Sequence, residues 1–123
     1  MKIKSLSMLL LGAMSIAPLY AHHSTSMFDS TRRVTFEATV KQLEWTSPHA
    51  YLQILVTNEQ GAVEEWGLEM GTPAAMMREG WKPKSVLPGD KITVVLNPLK
   101  NGDHGGNLVS VVKSDGTVVG RAK

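Results

Sequence analysis

The residues of this 123-residue chain best suited to chemistry are its four histidines, arranged as a pair and two singles: His22 and His23, His49, and His104. Imidazole titrates near neutrality and is the commonest protein metal ligand. Cysteine is absent, which excludes thiol catalysis, c-type haem attachment and thiolate metal sites. A cut just before His22 would create a special ligand set. The new terminal amine and the ring nitrogen of His22 can chelate one metal, and a second histidine can complete a T-shaped, nitrogen-rich site of the kind that suits Cu(II). The amine's ordinary pKa of about 7.7–8.0 lets it release its proton to a metal near neutral pH. Met27, nearby in the chain, offers a thioether for Cu(I). The candidate ligands are His22, His23, His49, His104 and Met27, with copper as the candidate cofactor. Zinc catalysis has less support, because Asp103, the one carboxylate beside these histidines in sequence, lacks a helical His-Glu-x-x-His setting. The plain alternative is a solvated arm and a His49 that hydrogen-bonds a loop backbone.

The terminal histidine depends on export. Lys2 and Lys4 precede an apolar run over residues 6–17, and a short segment ends at Ala21. These are the three parts of a cleavable secretory signal. Cleavage after Tyr20 would instead give Ala-His-His, which also forms a square-planar Cu(II) or Ni(II) chelate. The run is interrupted by Ser7 and Ser15 and stops at Pro18, so it falls short of the roughly 18 apolar residues a membrane span takes. The expected location is the periplasm, with no transmembrane segment once the signal is removed.

About a hundred mature residues suffice for one small domain with one core. Because Lys2 and Lys4 leave with the signal, the basic count falls level with the 11 acidic residues. The basic pI of the full chain therefore belongs largely to the discarded segment, and a nucleic-acid partner loses its main support.

The expected organisation is a signal at 1–21, an arm at 22–33 and one domain at 34–123. Val34, Phe36, Ala38 and Val40 alternate with polar residues, the period of a half-buried strand. Pro48 breaks the alternation and makes a loop around His49. A second strand follows over 50–56, then a turn at 58–61, then a third strand with Trp66, Leu68 and Met70 on one face. Thr72 can cap a short helix that starts at Pro73 and closes at Gly80. A fourth strand carries Ile92, Val94 and Leu96, a polar loop spans 97–107, and a fifth strand covers 108–112, with 117–119 able to add a hairpin. The order of three strands, one helix and two strands predicts an all-β, OB-like five-stranded Greek-key barrel. A small open sheet or sandwich is the alternative. In the barrel, the loops bearing His49 and His104 flank one face, with the arm able to reach over them.

Met70, Met76 and Met77 are expected to fill the core, with Met27 the exception. Trp66 reads as core, whereas Trp45, beside the His49 loop, is the candidate for a ligand face. Gly102, Gly105 and Gly106 lack the companions of a phosphate loop and read as a flexible hairpin. No triad, carboxylate pair or nucleophile elbow can be placed, so enzymatic activity has no positive support.

Several motifs together resemble a family of small exported proteins of Gram-negative bacteria classed as a domain of unknown function. They are Ala21-His22-His23-Ser24 with Phe28-Asp29, Trp45-Thr46-Ser47-Pro48-His49-Ala50, Trp66 with Glu69, Gly80-Trp81, Gly89-Asp90 and Gly105-Gly106. The family usually has Asn where this chain has Ser47. The resemblance implies a signal peptide and a compact β-rich domain, and it carries no activity or site assignment. The leading expectation is a periplasmic copper carrier or buffer. The other is a binding module without metal for an envelope glycan, peptide or partner protein near Trp45. An accessory role beside an exported redox enzyme is compatible with either.

Overall fold

The computed structural model describes residues 25–120, so the expected signal at 1–21 and the pair His22 and His23 lie outside the described residues. Period-two patterning becomes strands as expected: β1 (Val34–Glu44), β2 (Tyr51–Thr57), β3 (Val63–Glu69), β4 (Lys91–Pro98), β5 (Gly105–Lys113) and a short β6 (Val118–Val119), with one helix, α1 (Pro73–Arg78), between β3 and β4. Adjacent strands run β3-β2-β1-β4-β5-β6, and a parallel pairing of β3 with β5 closes the first five into a barrel. Closure removes the free edges of an open sheet and sets aside the open-sheet alternative.

β1 makes the closure possible. Its first half pairs with β4 and its second half with β2, and a bulge between Val40 and Gln42 bends it from one partner to the other. It therefore runs on to Glu44, past the last clear alternation in the sequence. Inward residues from every barrel strand meet in one core, in which Leu52, Ile54, Leu68, Val94, Leu96 and Val111 are fully buried. Each such side chain contributes about 1.5–3 kcal/mol of transfer free energy.

α1 follows its sequence signals closely. The Thr72 hydroxyl accepts from the Ala75 amide, and Pro73 occupies the first turn. At the other end Gly80 takes φ +93°, its amide donates to the Met77 carbonyl, and the Trp81 amide donates to that of Met76. This paired closure needs a left-handed residue and sets the two flanking apolar side chains together. Met76 and Trp81 are accordingly both buried.

Two expectations need correction. Met77 is 62% exposed rather than core, because neighbouring residues on a helix point about 100° apart and Met76 takes the inward position. The loop 97–107 is also shorter than expected, since Gly105 and Gly106 open β5 instead of forming a flexible hairpin. A β-carbon at Gly106 would lie 2.6 Å from the Asn97 carbonyl oxygen and 2.5 Å from a Leu96 methyl. Glycine is required there by close backbone approach, not by flexibility.

Candidate functional site

His49 sits on backbone stitched to the end of β3. The Ala50 amide donates to the Gly71 carbonyl at 3.0 Å, the Met70 amide donates to that of Ala50 at 2.9 Å, and the Thr46 hydroxyl donates to the His49 carbonyl. The ring is fixed as well: Nδ1 lies 2.8 Å from the Met70 carbonyl oxygen and 3.5 Å from Glu69 Oε1. A carbonyl only accepts, so Nδ1 carries the proton, and in the neutral ring Nε2 presents a lone pair. The His49 side chain is 36% exposed, whereas Glu69 is 14% exposed.

His104 has a different setting. Its ring stacks on Trp66 with centroids 4.9 Å apart and planes 15° from parallel. Nε2 lies 3.5 Å from Glu64 Oε2. Trp66 in turn meets Phe36 at 4.8 Å. Glu64 is held by Asn58, whose side-chain amide donates to Oε1 at 2.8 Å, and by the Trp66 indole, which donates to Oε2 at 3.3 Å. Those donors, the Asn58 amide foremost, with smaller help from the charge on His104, hold the Glu64 carboxyl below its ordinary value.

The two histidines are not brought together. Their acidic partners, Glu64 and Glu69, are five residues apart on β3, about 17 Å at an ordinary strand rise. The β2–β3 register runs without a break, so alternation puts Glu64 on the face of Leu68 and Glu69 on the opposite face. Among the described residues, no group of three or more His, Cys, Asp or Glu gathers to hold a metal.

The carboxylates that matter are not the one read from sequence. Asp103 closes its own turn, its amide donating to Asn101 Oδ1 and its carboxylate accepting from Asn101 Nδ2. Trp45 is half-buried and packs against the core. Met27 is 39% exposed on a short 3-10 turn, and its carbonyl accepts from the Lys100 amide. Phe28 bridges to Leu99, and the Asp29 amide donates to the Pro98 carbonyl. The described part of the arm is thus laid along the connection between β4 and β5.

That docking builds a feature sequence reasoning missed. Met27 and Phe28 wall a cleft of about 190 Å³ that also reaches Tyr51 and Glu69. Tyr51 and Glu69 are direct cross-strand partners. Burial, then the charges of Glu69 and Glu44, push the Tyr51 hydroxyl above its ordinary value. The model of a family of unknown function, DUF6152, matches residues 10–108. The chain belongs to this family. The DUF6152 match takes in the arm and both histidine–carboxylate pairs, and its description assigns no activity. No curated protein and no solved structure matches the chain.

Proposed function

We propose that this protein is an exported, periplasmic, OB-like barrel that binds copper for carriage or buffering rather than turnover. His22, with its terminal amine, and His49 are the principal ligands, and His23 and Met27 are auxiliary. One observation carries the reading: the Met70 carbonyl holds His49 Nδ1 at 2.8 Å, which leaves Nε2 as a fixed, accessible donor. Orientation of a metal-binding imidazole by a carbonyl or carboxylate on its other nitrogen is the usual supporting arrangement, and Glu69 stands on that same side.

The arm supports the same choice of partner. Met27 follows His22 by five residue steps, a span of at most about 18 Å. Met27 shares a cleft with Glu69, the acid beside His49. A metal at His49 would take its remaining ligands from this arm. His104 is the weaker candidate, since its ring is engaged by Trp66 and Glu64. A metal-free module resting on Trp45 has less support, because that ring packs against the core.

The test is metal content and Cu(II) affinity of protein isolated from the periplasm with its native terminus. The expected result is one copper per chain with nitrogen couplings in its electron paramagnetic resonance spectrum. Acetylation of the terminal amine should weaken binding at least tenfold. Affinity no greater than that of an isolated His-His-Ser peptide would overturn the proposal.

A further inference from the structure

We propose that, in the metal-free protein, the cleft between the arm and the barrel is a binding site for a small primary alkylammonium ligand. The cleft crosses β2, β3 and the start of β5, where Gly67 contributes no side chain to its floor and Gly106 lines it with backbone alone. Its walls are apolar: Met27 and Phe28 from the arm and Leu99 from the β4–β5 connection. At one side stands Glu69, whose side chain is only 14% exposed, next to its cross-strand partner Tyr51.

An apolar cleft with one shielded carboxylate selects a ligand with an alkyl body and a cationic end. The ammonium meets Glu69 and the electron-rich ring of Tyr51, while the alkyl chain lies against Met27, Phe28 and Leu99. Glu44, whose charge is felt at Tyr51, adds to the negative potential. A carboxylate ligand would face Glu69 and is excluded on charge. Tyr51 stays neutral over the working range. A volume of about 190 Å³ suits a short aliphatic amine.

The experiment is an amide-shift NMR titration of the metal-free full-length mature protein with n-butylammonium, with n-butanol and butyrate as matched controls. Because chelator is present throughout, the result does not depend on whether copper binds. The expected outcome is saturable shifts centred on Gly67 and Gly106 with n-butylammonium and at least tenfold weaker responses to the controls. Glu69→Gln should weaken the amine at least tenfold while leaving the fold intact. Gly67→Leu should abolish binding by filling the floor; a β-carbon there meets only the flexible end of Gln53. If Gly67→Leu does not fold, Glu69→Gln decides. Equal responses to amine and alcohol, shifts located elsewhere, or undiminished binding in folded Glu69→Gln would each overturn the proposal.

Discussion

His49 and His104 are both loop histidines beside a glutamate of β3, yet the fold engages opposite nitrogens of the two rings. His104 is held through its ring, which stacks on Trp66 while Nε2 faces Glu64. His49 is held through the other nitrogen and through its backbone, with Nε2 left over. On the copper site proposed above, accessibility alone does not select the ligand, since His104 is the more exposed of the two. The proposal turns on the free nitrogen of His49 and on the stacking that covers one face of the His104 ring.

The sharpest way to break this comparison is to remove Trp66. Trp66→Ala should destabilise the domain by about 3 kcal/mol, because Phe36 and His104 both lose a packing partner, and chemical denaturation would measure it. A cost below about 1 kcal/mol would mean that the stack contributes little. His49→Ala comes next: it should weaken Cu(II) at least tenfold, or about 1.4 kcal/mol, as read by competition with a chelator of known affinity. His104→Ala should reverse the pattern, leaving Cu(II) affinity within about twofold while lowering stability by about 1 kcal/mol through the lost ring contact. Equal copper losses in the two variants would erase the distinction between the histidines.

The smallest effect concerns Glu64. Its folded pKa is below the ordinary 4.5, so its contacts favour the folded state above that value, and the contribution is lost as pH falls through the folded pKa. Carboxyl-carbon NMR should place the Glu64 midpoint under 4.5, and Asn58→Ala should raise it by removing the leading donor. A midpoint at or above 4.5 in the parent protein would show that Asn58 and Trp66 do not favour the ionised form.

Much of the barrel was legible in the chain because its causes are local. Alternation over Val34, Phe36, Ala38 and Val40 marks a half-buried strand wherever the strand goes, and Thr72, Pro73 and Gly80 fix the ends of α1 by their own backbone chemistry. Length and order of elements then leave few ways to close the sheet. The four histidines and Met27 were also visible as candidates, since residue type alone marks a potential metal donor.

Tertiary structure decided the rest. Asp103 is next to His104 in sequence but turns onto Asn101, whereas Glu64 and Glu69 reach the histidines from 40 and 20 residues away, respectively, because β3 lies between their loops. Gly105 and Gly106 look like a mobile turn until barrel closure brings the β3 backbone against Gly105 and the β4 backbone against Gly106. Met76 and Met77 are chemically equal, and only the direction of the barrel separates the buried one from the exposed one. Local dihedral preferences and side-chain periodicity are carried by neighbouring residues, so the sequence alone determined the elements and the set of candidate donor residues. Which nitrogen is free, which acid stands beside it and where a cleft opens depend on contacts between distant strands, and only closure of the barrel decided them.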